Sequence, residues 1–252
     1  MATLTVVTIT LNEEANIRDC LASARWANEI IVVDSGSTDR TVEYARAFTD
    51  HVDRAPWEGY GAARNFALQH ATSDWIFWLD ADERVTPELA VEIQEMLRKD
   101  DERIVGYSVA RRAYFLGRWI KHCGWYPSRV TRLFRRGKGR FSENRVHEQL
   151  ELQGDVGILR NDLLHFTDPS LQHYFAKFNK YTSLAAEDLR ESGRSFGFHD
   201  VLLRPPFTFF KMYVLKRGFL DGMQGFILCV LSSLYVFTKY IKLWELRTHK
   251  HR

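Results

Sequence analysis

Residues 74–83, DWIFWLDADE, join an apolar run directly to two carboxylates one residue apart, Asp80 and Asp82. Trp75 to Leu79 offer water no polar face, so a strand built from them must be covered on both sides, as central strands of mostly parallel sheets are. Such a strand needs flanking helices and releases Asp80 to Asp82 at its carboxyl end, where open α/β sheets bind ligands. In extended chain the two aspartates point to the same side, and like charges so close repel unless a cation or hydrogen-bond donors lie between them. Mg2+ or Mn2+ answers that need, because such ions take carboxylate oxygens and share their remaining positions with water and substrate phosphates. An isolated D-x-D after a strand is equally a capped, solvated turn, so the neighbouring segments decide.

TLTVVTITLNEEANIRDCL opens the chain as a β-branched strand from Leu4 to Leu11, a polar turn, and a helix with Ile17 and Leu21 on one face. EIIVVDSGSTDRT is a second strand, ending at Asp34, with Ser37 or Asp39 placed to cap a helix running through Ala47. A weaker strand near His51 to Ala55 precedes the helix GYGAARNFALQHA, and Thr86, Pro87 and Glu88 start the helix PELAVEIQEMLRK. Strands alternating with helices of this size predict βαβ units with right-handed crossovers. Three strands end in polar and acidic clusters: Asn12, Glu13 and Glu14; Asp34; and Asp80, Asp82 and Glu83. Three such ends along one sheet edge point to a nucleotide and metal site.

In order and spacing, TLNEE at 10–14, VDSGSTDRT at 33–41, GYGAARNFA at 59–67 and LDADE at 79–83 resemble the family 2 inverting glycosyltransferases of the GT-A fold. RVTRLFRRGKGRFSENRVHEQL and HYFAKFNKYTSLAAEDL are similar to the small members that build the inner core of bacterial lipopolysaccharide, notably β-1,4-glucosyltransferases acting on heptose. The resemblance covers nearly the whole chain and is densest over residues 4–100. It implies a UDP-sugar donor, UDP-glucose, used with Mg2+ or Mn2+ to place glucose on a phosphorylated lipopolysaccharide-core acceptor. Carried over by motif, Thr10, Asn12, Glu13, Asp34 and Ser35 would hold the nucleoside. Arg64 would lie near base or diphosphate, Asp80 would contact ribose and metal, and Asp82 would be the principal metal ligand. Plainer roles for two of these are a helix cap for Asn12 and a surface helix position for Arg64.

Inversion requires a base opposite the leaving diphosphate, a carboxylate or His that takes the proton of the acceptor hydroxyl as it attacks C1. The segment after the nucleotide half, SENRVHEQL, offers Glu143, His147 and Glu148. Glu148 is the favoured base and Glu143 the reserve. His147 is a third metal ligand if a bend turns both neighbours inward, since successive strand residues face opposite ways.

Net charge is only +3, yet between Arg111 and Arg145 stand eleven Lys or Arg against one acid, Glu143, leaving the rest of the chain acidic. One basic region on an acidic protein implies an anionic partner. Arg135, Arg136 and Lys138, in RLFRRGKGRF, are the expected acceptor-binding cations, although a Gly-Lys-Gly hairpin accounts for some of the charge without any ligand. Aromatic residues in this region could stack on nucleic-acid bases, but no RRM, helix-turn-helix or zinc-finger pattern accompanies them, and no nucleic-acid partner is expected.

At 252 residues and 45% hydrophobic content the chain can bury a large core. Cys20, Cys123 and Cys229 form no C-x-x-C pair, and no signal peptide is read ahead of the first strand, so the expectation is a cytoplasmic enzyme with reduced thiols. Residues 1–165 are read as the catalytic domain, with a nucleotide-sugar half to about 100 and an acceptor half after it. Residues 166–252 are read as a helical extension, membrane-associating from about 201. A helix from Ser170 to Gly193 carries an aromatic stripe expected to pack on the catalytic domain. The longest uncharged stretch beyond it, Gly222 to Thr238, has 17 residues, at the lower limit of the roughly 17–25 that span a bilayer. Lysines and arginines flank it on both sides. In-plane helices on the cytoplasmic face of the inner membrane are therefore expected, with a dimer interface or internal packing as the other use of the same apolar faces.

Two other function classes fit parts of the pattern. A sugar nucleotidyltransferase would need a glycine-rich phosphate loop after the first strand, and TLNEEAN has no glycine. A non-catalytic membrane or polyanion-binding module has no reason to place acids at three strand ends. A glycosyltransferase for another surface glycan or lipid remains the alternative within the favoured class.

Overall fold

β-branched and aliphatic residues build two adjacent parallel strands, β1 (Leu4–Thr10) and β2 (Glu29–Asp34), joined through helix α1 (Ile17–Ser23). The computed structural model describes residues 1–55, 60–141 and 150–248. After α2 (Thr41–Ala45), β3 (Val52–Arg54) adds to β2 in parallel; after α3 (Tyr60–His70), β4 (Trp75–Trp78) adds to the other side of β1. Both faces of β4 are buried: Trp75 and Phe77 join one core cluster with Leu4, Val6 and Leu89, while Ile76 and Trp78 join another with Val7, Val33 and Phe134. Each such side chain contributes about 1.5–3 kcal/mol relative to exposure, so this strand is fixed more firmly than any edge strand.

A short β5 (Glu83–Val85) leads to α4 (Pro87–Lys99), whose first turn is capped by Thr86 Oγ1 accepting from Leu89 N at 3.2 Å with Pro87 behind it. Strands β6 (Ile104–Phe115), β7 (Arg118–Trp119), β8 (Ser128–Arg135), β9 (Gly139–Phe141), β10 (Leu150–Leu152) and β11 (Asp155–Asp168) follow. The main sheet runs β3-β2-β1-β4-β8-β6-β11-β5, with β7 paired to β6. It is parallel from β3 to β4 and antiparallel at β4–β8 and β5–β11. The expected Gly-Lys-Gly hairpin differs in one respect: the turn closes through Lys138 N to Arg135 O at 3.1 Å, but β9 pairs with β10 in a separate two-stranded sheet.

The chain divides into two compact units, residues 1–111 with 129–165, and residues 112–128 with 166–252. The second unit contains α5 (Leu171–Glu191), α6 (Phe198–Leu202), α7 (Arg204–Phe210) and the long α8 (Gly222–Thr248). Ser170 Oγ accepts from His173 N at 3.2 Å to cap α5, and Gly193, with φ +75°, follows its end. Linear reading of the chain misses the share taken by 112–128: Phe115, Ile120 and Cys123 form one buried cluster with Leu228, Cys229 and Leu231 of α8. The aromatic stripe of α5 packs inside this unit, Tyr174 edge-on to Phe115 and Phe178 edge-on to Tyr235. Lys242 of α8 is also turned onto α5, its Nζ donating to Asn179 O, Asn179 Oδ1, Thr182 Oγ1 and Ser183 Oγ at 2.8–3.0 Å.

Candidate active site

Parallel pairing brings the carboxyl ends of β1, β2 and β4 to one edge of the first unit, with Thr10 opposite Asp34 and Val7 opposite Trp78. The turns beyond β1 and β2 clasp one another. Asn12, in the left-handed region that asparagine tolerates well (φ 55°), accepts from Thr38 N at 2.8 Å and donates its own N–H to Ser37 Oγ at 2.8 Å. Glu13 N donates to Thr41 Oγ1, and Glu13 Oε2 accepts from Asn16 Nδ2, both at 2.8 Å. Asp34 is fully buried and accepts from the N–H groups of Gly36 and Ser37 at 3.0–3.2 Å, with Arg54 Nε 3.8 Å away. Ser35 N is spent on Thr10 O at 2.9 Å. Asn12 and Asp34 thus shape the nucleotide-side loops. Thr10 differs: its hydroxyl is buried and, among the described residues, unpartnered, a polar group that a ligand could satisfy.

The D-x-D turn is closed on itself, Glu83 N donating to Asp80 O at 2.9 Å and Asp80 N to Glu83 Oε2 at 3.1 Å. Asp80 ion-pairs with Arg132, accepts from Trp78 Nε1 at 2.9 Å and lies 4.0 Å from Arg64 Nη2. Burial alone would raise its pKa, but the Arg132 and Arg64 guanidiniums outweigh that and hold Asp80 well below the ordinary carboxylate range. Glu83 is fully buried and receives Arg132 Nη2 at 2.6 Å, with Arg111 Nη1 at 3.8 Å. Its pKa moves up because burial exceeds the attraction of Arg132 and Asp80 adds like charge. Burial and the neighbouring Arg132 push the Arg111 pKa down, whereas Arg132 itself is held protonated by Asp80 and Glu83 against the effect of burial. Arg64, on α3, also lies over the rings of Trp78 and Phe141, 5.3 and 5.1 Å from their centroids.

Asp82 has a different neighbour. Antiparallel pairing sets Glu83 opposite His165 of β11, and His165 Nε2 lies 3.3 Å from Asp82 Oδ2. Among the described residues no group of three His, Cys, Asp or Glu side chains gathers as a ready metal cage. An ion that keeps several waters and phosphate oxygens needs only one or two protein ligands, and Asp82 with His165 offers that donor set. Asp80, expected as a second ligand, is ion-paired with Arg132. His147, expected as a third, lies outside the described residues, as do Glu143 and Glu148.

The basic segment divides by register. β8 runs antiparallel to β4 with Phe77 opposite Leu133 and Trp75 opposite Arg135, so Arg132 reaches the carboxyl end of β4. Arg135 and Arg136, expected as acceptor-binding cations, lie toward the other end of β4. Arg135 bonds Asp100 Oδ1 at 2.8 Å and Ile104 O at 3.0 Å and lies over Trp75, while Arg136 Nε bonds Ser73 O at 2.9 Å. Lys138 stands in the turn beyond them, exposed and away from the ligand edge. Sequence reading missed Glu83 as a buried anchor, and missed Arg111, Arg132 and His165. The available signals were a charged residue alternating with apolar ones in RVTRLF and a single imidazole in the apolar run DLLHF.

Residues 5–156 match the model of glycosyl transferase family 2. The lipopolysaccharide core biosynthesis glycosyltransferase LpsC of Rhizobium meliloti is 36% identical over 99% of this chain and 94% of its own length. An uncharacterized glycosyltransferase of Rickettsia typhi is 28% identical over 98% of this chain and 87% of its own. Among solved structures, Mycobacterium tuberculosis glucosyl-3-phosphoglycerate synthase in complex with Mn2+ and UDP-glucose aligns with 45% of this chain and 44% of its own at 27% identity and a TM-score of 0.37. A strand-end acid and arginine cluster inside the matched segment, together with near full-length similarity to a glycosyltransferase, establishes that the chain belongs to glycosyl transferase family 2 and has the GT-A fold.

Proposed function

We propose that this glycosyltransferase moves glucose from UDP-glucose, with inversion, onto a heptose of a lipopolysaccharide inner core while resting on the cytoplasmic face of the inner membrane. The observation that carries the donor half is the Asp82–His165 pair, 3.3 Å apart beside the Arg132-neutralised Asp80 at the sheet's carboxyl edge. The acceptor half rests on 36% identity, across nearly the whole chain, to a lipopolysaccharide core enzyme.

In this reading Asp82 and His165 hold the divalent ion, Mg2+ or Mn2+, which when bound supplies positive charge to the leaving diphosphate. The unpartnered Thr10 hydroxyl takes a nucleoside hydrogen bond, and the loops braced by Asn12, Glu13 and Asp34 fix the nucleoside's position. Arg64 and Arg111 face the same edge and attract the diphosphate. Glu148, or failing it Glu143, takes the proton of the acceptor hydroxyl as the new bond to C1 forms and the bond to UDP breaks. Helix Gly218–Thr248 is long and apolar enough to cross a bilayer by length and composition; the in-plane membrane reading is supported by the lysines and arginines that flank Gly222–Thr238 on both sides.

A donor panel with a lipopolysaccharide-core acceptor, scored by UDP release, tests the reading. Asp82→Ala should abolish turnover with the fold intact, and retention of more than about a tenth of kcat, ~1.4 kcal/mol of barrier, overturns the metal assignment. Glu148→Gln should lower kcat with donor affinity nearly unchanged; that signature in Glu143→Gln alone would transfer the base to Glu143.

A further inference from the structure

In the second unit one turn is held rigidly from inside while presenting its largest apolar side chains to water. The chain enters the 3-10 turn Gly218–Asp221 through Arg217 in the left-handed region (φ 53°) and leaves through Gly222 (φ 64°). Gly218 is pressed inward: a Cβ there would stand 2.8–2.9 Å from Cys123 Sγ, Cys229 Sγ and Met212 O. Gly225 lets α8 close on the same turn, since a Cβ on it would meet Gly218 O at 2.2 Å. Asp221, 2% exposed, accepts from His122 N at 2.8 Å, His122 Nδ1 at 2.9 Å and Lys121 N at 3.3 Å, and Cys123 N donates to Lys216 O at 3.0 Å. Internal packing therefore fixes the turn while Phe219, whose ring meets Tyr213 edge-on with centroids 6.1 Å apart, Leu220 and Met223 remain 49%, 50% and 68% exposed.

Four cations surround these residues. Arg118 and Lys121 come from the inserted segment 112–128, Lys216 and Arg217 from the residues entering the turn, and all four are exposed. The Arg118 guanidinium stands over the turn, its Nη1 3.3 Å from where a Gly222 Cβ would be, and the Lys216 stem packs 3.7 Å from the corresponding point on Gly124. Lys121 Nζ lies 4.6 Å from the Trp119 ring centroid. Asp221 itself is buried beneath the turn and spent on backbone donors and His122. A rigid apolar tip inside a collar of cations matches the boundary between acyl chains and anionic headgroups.

We propose that Gly218–Asp221 is a bilayer wedge: Phe219, Leu220 and Met223 enter the acyl region of a membrane rich in anionic phospholipid, and Arg118, Lys121, Lys216 and Arg217 bind the lipid phosphates. The wedge rests on the peripheral-membrane reading above and deepens it by naming the contact and its lipid class.

The test is flotation of the full-length protein with phosphatidylglycerol-containing and pure phosphatidylcholine vesicles, alongside UDP binding and thermal melting. Phe219→Ser with Leu220→Ser should reduce partitioning onto both vesicle types at least tenfold, with melting and UDP binding as in wild type. Arg118→Gln with Lys216→Gln should cost about thirtyfold on anionic vesicles, two cations at about 1 kcal/mol each, and little on neutral ones. If wild type floats and both variants float equally well, the wedge is wrong while the peripheral reading stands. If wild type floats on neither vesicle, both fail. A dimer of wild type in vesicle-free solution that Phe219→Ser with Leu220→Ser dissolves would overturn the wedge in favour of a contact between copies.

Discussion

Replacing Arg132 by Met should cost the first unit more stability than any exposed charge change. The Arg132 side chain is 9% exposed and bridges Asp80 and Glu83. Methionine fills much of its stem volume but leaves Glu83 fully buried with Arg111 at 3.8 Å, and Asp80 with Arg64 at 4.0 Å. Removing one member of a buried ion pair costs about 3–5 kcal/mol, because the remaining charge is desolvated without compensation. In a chain of this size that is a fall in Tm of roughly 6–20 °C. Thermal melts and urea titrations of full-length protein measure it, with Arg103→Met as control, since Arg103 pairs with Asp101 in solvent and its loss should leave Tm unmoved. Adding Glu83→Gln to Arg132→Met should recover part of the loss by removing the orphaned charge, a favourable coupling in the double-mutant cycle. A loss below about 1 kcal/mol for Arg132→Met, or strict additivity of the two changes, would refute the claim that these groups form one buried charge unit.

Asp80→Asn should destabilise at neutral pH and lose that deficit in acid. The folded pKa lies below the ordinary value, so the carboxylate's contribution is complete above about pH 4 and disappears as pH falls through the folded value; a deficit that widens in acid contradicts it. Arg135→Glu should lower Tm by breaking the Asp100 and Ile104 bonds while leaving acceptor KM unchanged, and a raised acceptor KM at unaltered Tm would restore the acceptor role. Truncation after Leu203 should yield aggregated or proteolysed protein, because it strips Leu228, Cys229 and Leu231 from Phe115, Ile120 and Cys123. Recovery of a soluble, UDP-binding fragment would show that segment 112–128 folds without α8.

What was legible in the sequence is what local pattern determines. The all-apolar Trp75–Leu79 run required two covered faces, and both are covered; Thr86 and Pro87 marked a helix start that the Thr86 hydroxyl does cap. What pattern alone could not give is register between distant strands. Arg132 and Arg135 share one strand, one charge and one apolar context. Antiparallel pairing with β4 nevertheless sends Arg132 to Asp80 and ties Arg135 to Asp100. Placement of 112–128 with α8 is non-local in the same way, fixed by the contacts of Phe115, Ile120 and Cys123 far along the chain.

His165 makes the same point chemically. Its neighbour in space, Asp82, is set by pairing of β11 with the three-residue β5, a contact no spacing rule anticipates. Two carboxylates one residue apart suggested that both would share a cation, but two arginines resolve the repulsion differently. Arg132 bridges Asp80 and Glu83 from beneath, and Arg64 approaches Asp80 from α3. Those two acids are thereby neutralised within the protein before any donor arrives. Asp82 faces the His165 imidazole instead, a side chain of a common metal-ligand type. Which strand lies beside each aspartate therefore decides its partner, a guanidinium for Asp80 and an imidazole for Asp82.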